Sequence, residues 1–131
     1  SFGFQIGAEA VDLILLVMTE RGLKSLLKDQ FTLGADAAVS TGPVGRHAEA
    51  ATDVRMQGEI YSYSRSKGAF AGISLKGTVI STNEDANHAY YGQPFNAKDI
   101  LLRGEVKKIP VSGQRFIKQL NIVAPVKQKV Q

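Results

Sequence analysis

The chain contains no cysteine. That excludes a disulfide framework and a thiolate metal site, and it leaves the redox compartment open. Long apolar runs are missing as well. The longest candidate, residues 11–18, is broken by Asp12 and ends at Thr19, Glu20 and Arg21, well short of the roughly 18–20 residues that cross a bilayer as a helix. Histidine is limited to His47 and His88, with no His-Glu-x-x-His spacing, so the usual basis for a zinc site is lacking. Neither a metal nor a cofactor is expected. There is no internal repeat, no low-complexity tract and no visible targeting segment. The chain opens on Ser1 and enters a patterned stretch at Phe2. Such a start suggests a processed or trimmed product, from which a signal peptide or lipid anchor could have been removed.

What is present suits one ordinary domain. The 131 residues are 44% hydrophobic and 21% charged, a globular composition with enough length for a single core. The net charge of +4 is unevenly spread. Residues 1–102 carry nine Lys/Arg against eleven Asp/Glu, a balance of −2. Residues 103–131 carry seven Lys/Arg (Arg103, Lys107, Lys108, Arg115, Lys118, Lys127 and Lys129) against Glu105 alone, a balance of +6. The basic character therefore belongs to the tail. A basic tail is drawn to any polyanion, whether membrane surface, nucleic acid or acidic protein. Tyr61 and Tyr63 share a strand face with Arg65, an aromatic-basic pattern found on nucleic-acid surfaces. Asp53 and Glu59 lie on the same face and oppose that reading, so no nucleic-acid partner is expected.

Period-two alternation is the clearest structural signal. Ala48, Ala50, Thr52, Val54, Met56, Gly58 and Ile60 form an apolar face, with mostly polar residues between them. The pattern resumes at Ala69, Ala71, Ile73, Leu75, Gly77 and Val79, and a shorter face is formed by Leu33, Ala35, Ala37 and Val39. Half-buried antiparallel strands need this alternation. Turns rich in glycine, proline, serine or asparagine at 41–45, 64–68 and 83–87 separate the runs. The expected fold is mainly β with a few short helices (α+β), an antiparallel meander forming a curved sheet or small barrel. Strands 48–63 and 69–81 are expected to pair antiparallel, burying Val54, Met56, Ile60, Ile73, Leu75 and Val79. Residues 2–17 read as strand throughout, because Gly3 and Gly7 disfavour a helix. Helices are expected at 20–28 with Thr19 as N-cap, at 96–102 ended by Gly104, and at 114–120 with Ser112 as N-cap.

Six blocks then point to a family. They are Phe2-Gly3-Phe4-Gln5-Ile6-Gly7, residues 12–18, Thr32-Leu33-Gly34, Gly42-Pro43-Val44-Gly45-Arg46, the stretch from Tyr63 to Gly72 that includes Arg65, Lys67 and Phe70, and Tyr90-Tyr91-Gly92. In this order over residues 2–103 they resemble the second half of a SYLF domain. Members begin with a further stretch of helices and strands that is absent before Phe2, and residues 104–131 match nothing in the family pattern. The resemblance implies a SYLF-like β-rich domain at 1–103, lacking its N-terminal half, followed by a basic extension at 104–131 with a short helix. It also implies a noncatalytic module whose eukaryotic members bind acidic phospholipids, phosphoinositides included, and actin. Bacterial members of similar pattern are often small, secreted or lipoprotein-like, so the expected location is a membrane surface, the bacterial periplasm or outside the cell. A strand at the start of such a fragment leaves an open sheet edge. The missing half, a second copy or the folded-over tail is expected to cover it.

The candidate site residues follow from loop chemistry. Arg46 follows Gly45 after a turn, and Arg65 and Lys67 flank Ser66 in another. Loops that combine glycine, serine and basic residues offer backbone N–H groups and cationic heads to a phosphate. The two turns are expected at opposite ends of a shared strand. The tail adds Lys107, Lys108, Arg115 and Lys118. Residues 110–120 could form an amphipathic helix with Arg115 and Lys118 opposite Phe116, Ile117 and Leu120, lying on a membrane or packing over a sheet edge. These seven basic residues are the expected contacts for acidic headgroups; a structural or protein-interaction module, actin-binding-like, is the alternative. A third possibility is a hydrolase that uses Ser1, whose own amine could act as base, or a histidine. Both His47, on a polar strand face, and His88, in an expected loop, read more simply as solvated surface residues.

Overall fold

The computed structural model describes residues 5–6, 9–10, 12–46, 48 and 58–127. The chain divides into two units, Ser1–Ser81 and Thr82–Gln131. Among the described residues the first contains β1 (Gln5–Ile6), β2 (Glu9–Ala10), β3 (Asp12–Val17), α1 (Glu20–Leu26), β4 (Gln30–Thr32), β5 (Val39–Thr41), β6 (Ile60–Ser66), β7 (Ala69–Gly72) and β8 (Val79–Ser81).

Strand β6 is the hub. It pairs antiparallel with β3 from Asp12↔Arg65 to Val17↔Ile60. Its other edge is shared by β5, parallel at Val39↔Ile60 to Thr41↔Ser62, and β7, antiparallel at Tyr63↔Gly72 to Ser66↔Ala69. Both edges of β6 are thereby hydrogen-bonded, so Ile60 to Ser62 and Ser64 are buried. Because side chains alternate across a strand, Leu13, Leu15 and Val17 face the core with Ile60 and Ser62, while Ile14 and Leu16 face the other way with Tyr61 and Tyr63. The core consists of Phe31, Leu33, Ala37, Ile60 and Leu75, with Val39, Ile73, Ile80 and Leu26 packed against it. Ser62 is the polar exception. Its buried hydroxyl donates to the Ile73 carbonyl at 2.7 Å, which satisfies it inside an apolar layer.

Several expectations hold. Residues 12–17 are strand, as are 5–6 and 9–10, which pair as a small antiparallel ladder. Thr19 caps α1, its hydroxyl accepting from the Gly22 N–H at 3.0 Å. The 64–68 turn closes an antiparallel hairpin, tighter than expected, over Lys67 (φ 52°) and Gly68 (φ 78°). Two successive positive φ angles suit the right-handed twist of the flanking strands.

Other expectations need correction. The sheets do not close into a barrel, and the described strands are not a simple antiparallel meander: a four-stranded sheet stands beside two two-stranded ones, and the β5–β6 pair is parallel. The 69–81 strand is broken after Gly72 by a turn in which Thr78 N–H donates to the Leu75 carbonyl and Gly77 has φ 88°. Its second half, β8, therefore pairs with β4 rather than with β6. Val79, expected inside, is 52% exposed, whereas Ile60 and Leu75 are buried and Ile73 is partly so. The third alternating face is also interrupted. Gly34 (φ 92°) turns the chain so that Leu33 and Ala37 bridge each other while Ala35 stays exposed. Backbone at Arg46 and Ala48 is helical rather than extended. Phe2, Phe4, Val54, Met56 and the rest of 49–57 lie outside the described residues.

The second unit is helical: α2 (Glu84–Tyr91), α3 (Ala97–Leu101) and α4 (Val111–Val123). Residues 83–87, expected as a turn, instead begin α2. Asn83 Oδ1 accepts from the Ala86 N–H, Glu84 and Asp85 fill the first turn, and Gly92 (φ 76°) ends the helix. α3 starts with a reciprocal capping box, Asn96 accepting from Asp99 N–H and Asp99 from Asn96 N–H. α4 starts at Pro110, not at a capping Ser112. The Ser112 side chain instead meets the Tyr90 hydroxyl at 2.6 Å, beside close packing of Gly113 on Tyr90 and Ile109. None of the three helices has a buried residue.

Candidate functional site

In the first unit the tight β6–β7 hairpin carries two of the basic candidates. Arg65 pairs across the sheet with Asp12, its Nη2 3.4 Å from Oδ2, and both side chains are at least half exposed. Lys67 occupies the left-handed position of the turn. Arg46 follows Gly45 (φ 61°) on an exposed bend. Because β5 runs parallel to β6, the chain leaving β5 moves toward the hairpin end of β6 and not away from it. Gly42 N–H donates to the Ser62 carbonyl, and the absence of a side chain at Gly42 and Gly72 lets the Gly42 backbone pass against Gly72 and the Tyr63 ring. The start of the 41–45 turn and the strands of the Arg65–Lys67 hairpin therefore meet, where opposite ends were expected.

Beside that meeting lies a shallow, open apolar hollow of about 220 Å³ lined by Ile14, Leu16, Val44, Tyr63 and Phe70. Leu16, Val44 and Phe70 are exposed. Tyr63 forms one wall, held by its hydroxyl donating to the Pro43 carbonyl at 2.8 Å. Tyr61, on the same face of β6, is buried, and its hydroxyl has no hydrogen-bond partner among the described residues. The two tyrosines thus do not make an open stacking surface beside Arg65. Glu59 is also engaged. Its carboxylate accepts from Ala38 N–H at 2.8 Å and lies 3.6 Å from Arg21. The hollow escaped the sequence reading because it needs the parallel β5, although Phe70 on the outward face of its strand was a visible signal.

In the second unit the basic candidates share a short stretch. Lys107 Nζ donates to the Gly104 carbonyl at 3.0 Å, Lys108 follows it, and Arg115 and Lys118 lie three residues apart on α4. All four are exposed, and α4 contains no acidic residue. Arg103 differs, because it forms a 2.9 Å pair with Asp99 one helical turn earlier. The Asp99 carboxyl is held below its ordinary range, first by the hydrogen bond from Asn96 N–H and then by Arg103. The α4 surface also has exposed Phe116, Ile117, Leu120, Ile122 and Val123.

The hydrolase candidates do not assemble into a described site. Ser1 and His47 lie outside the described residues, and His88 is exposed on α2 rather than in a loop. Among the described residues no group of three or more His, Asp or Glu is placed to hold a metal, and no helix is long and apolar enough to cross a membrane.

Residues 1–122 match the Ysc84 family, described as Las17-binding protein actin regulator. The chain belongs to that family. Membership agrees with the SYLF resemblance carried by the six sequence blocks, several of which form the features above: residues 12–18 contain β3, the 42–46 block forms the bend, and the 63–72 block is the hairpin. The chain is 34% identical over 120 residues to SH3 domain-containing YSC84-like protein 1 of Rattus norvegicus, covering 91% of this chain and 35% of the relative. It is 37% identical over 117 residues to LAS seventeen-binding protein 3 of Saccharomyces cerevisiae, covering 87% and 25%. The Homo sapiens YSC84-like protein 1 is 35% identical over 100 residues, covering 76% and 29%. The chain thus spans about a third or less of these relatives, whose names describe binding or domain content. No solved structure matches it.

Proposed function

We propose that this Ysc84-family chain is a noncatalytic binding module that engages acidic phospholipid headgroups, chiefly through Lys107, Lys108, Arg115 and Lys118. The observation that carries this reading is the acid-free α4, which has no buried residue, with two lysines just before it. Basic side chains near an anionic leaflet contribute roughly 1 kcal/mol each, so a cluster of four supports binding where one would not. Arg46, Arg65 and Lys67 act as a secondary set. Arg65 is already neutralised in part by Asp12, and an exposed ion pair of that kind is weak enough to exchange for a phosphate. In this reading residues 104–131 supply the membrane-facing contacts; the family match runs to residue 122, so most of this stretch belongs to the family domain and is not an extension outside it.

A vesicle sedimentation assay tests the reading. The protein should pellet with vesicles containing phosphatidylserine and not with neutral phosphatidylcholine vesicles. Binding should weaken with salt, because the Debye length falls from about 10 Å at 0.1 M to about 3 Å at 1 M. Equal binding to neutral vesicles would remove the basis for the proposal.

A second reading has its own support. The family description names a Las17-binding protein and actin regulator, and the yeast relative's name refers to binding of LAS seventeen. A protein-interaction role in actin regulation would use the apolar hollow of Ile14, Leu16, Val44, Tyr63 and Phe70, since interface cores favour aromatic and aliphatic anchors over charge. Co-sedimentation with actin filaments, with and without Phe70→Ser, separates this reading from the lipid one.

A further inference from the structure

We infer that α4 is an interfacial helix that sinks Phe116, Leu120 and Val123 into the acyl layer, so that headgroup attraction is only part of its hold on a membrane. The inference rests on the lipid reading above and deepens it, from which charges attract the surface to which side chains enter it.

The geometry begins at Tyr90. Its hydroxyl meets Ser112 at 2.6 Å, and a side chain on Gly113 would collide with Ile109 and with that same hydroxyl. Gln114 Nε2 donates to the Ile109 carbonyl at 2.7 Å. These contacts fasten the first turn of α4 to its own unit, and beyond Gln114 no α4 residue is buried. Phe116, Leu120 and Val123 recur at spacings of four and three, which places them on one helical face. They are 66%, 43% and 67% exposed. By the same spacing Lys118 falls on the opposite side and Arg115 on the flank beside Phe116 and Val123, with the exposed Ile122 between the two charges, and no Asp or Glu lies on the helix.

Exposed apolar faces of this kind require a cover. Charge selects which one. A cover that meets both faces must be apolar at the helix's underside and anionic along its flanks, and the boundary between acyl chains and acidic headgroups has that layering. Lys107 and Lys108, exposed just before the helix, add two cations close to it in sequence. Long basic side chains can keep their charges at headgroup level while their stems lie along apolar surface.

The chain has no tryptophan, so Phe116→Trp introduces a single reporter in the full-length protein. With phosphatidylserine-containing vesicles its emission should shift to the blue, and lipids brominated on their acyl chains should quench it. Phe116→Gln together with Leu120→Gln should leave the circular dichroism of the free protein unchanged. The same double variant should lower the binding that survives 0.5 M salt by about tenfold or more, given the 1.5–3 kcal/mol typical of burying one large apolar side chain. Vesicle binding with an unquenched, unshifted tryptophan would overturn the inference while leaving the headgroup reading in place. A tryptophan already blue-shifted without lipid would overturn it too, because the face would then be covered by protein. No binding to the acidic vesicles at all would overturn both.

Discussion

Tyr61 and Tyr63 stand two residues apart on one face of β6 and differ in what surrounds their hydroxyls. The Tyr63 hydroxyl donates to Pro43, tying the 41–45 turn to the sheet, while the Tyr61 hydroxyl is buried with no partner among the described residues. An unsatisfied buried hydroxyl costs about 1–3 kcal/mol of desolvation, whereas a made hydrogen bond contributes about 1 kcal/mol net. Tyr61→Phe should therefore leave stability unchanged or raise it by up to about 1–2 kcal/mol, and Tyr63→Phe should lower it by about 1 kcal/mol. Urea denaturation of both variants measures the difference, and equal losses would refute this account of β6. Lys67 supplies a second contrast. A lysine at φ 52° carries a backbone cost of roughly 1–2 kcal/mol that asparagine and glycine largely avoid. Lys67→Asn should thus stabilise the hairpin, as a raised denaturation midpoint, and slightly weaken binding to acidic vesicles if Lys67 belongs to the secondary set.

At the scale of elements, α3 is the part whose stability depends on one titration. Asp99 accepts from Asn96 N–H and pairs with Arg103, and its pKa is lowered in the fold. The charged form is the one the fold favours. The stabilisation is therefore complete above the ordinary carboxylate value and is lost as pH falls through the depressed folded value. Amide exchange of α3 should accelerate in that acid range, and Asp99→Asn should remove the pH dependence while exchanging faster at neutral pH. The cap of α1 was legible in Thr19, because an N-cap is a local device, whereas α3 was expected over 96–102 with Asn96 inside the helix and not capping it. Asn83, the acidic pair Glu84–Asp85 and Gly92 carried the same information for α2, but a turn reading of 83–87 overrode it. The β5–β6 pairing was not legible. Alternation reports which face of a strand is buried, not which strand lies beside it, and a parallel neighbour leaves the same period. The break after Gly72 was hidden for a related reason: Ile73 and Leu75 remain at core positions on either side of a turn, so the alternation continues through it.

Over the whole molecule, the basic residues divide into a set on the first unit, around the β6–β7 hairpin and the preceding bend, and a set on and before α4. Their membership was readable from charge counting, since Lys107, Lys108, Arg115 and Lys118 stand in a stretch opposed only by Glu105. Their surroundings were not, because the Arg65–Asp12 pair depends on the β3–β6 register. That pair lowers the electrostatic value of the first set, while α4 has no acidic residue to do the same to the second. The direct test replaces each set by glutamine in the full chain, Lys107, Lys108, Arg115 and Lys118 in one variant and Arg46, Arg65 and Lys67 in the other. Binding of both to phosphatidylserine vesicles is then measured at 0.1 M salt. At roughly 1 kcal/mol per basic residue, the four-residue variant should lose on the order of a hundredfold to a thousandfold in affinity, and the three-residue variant markedly less. A larger loss from the first-unit set, or no loss from either, would contradict the account.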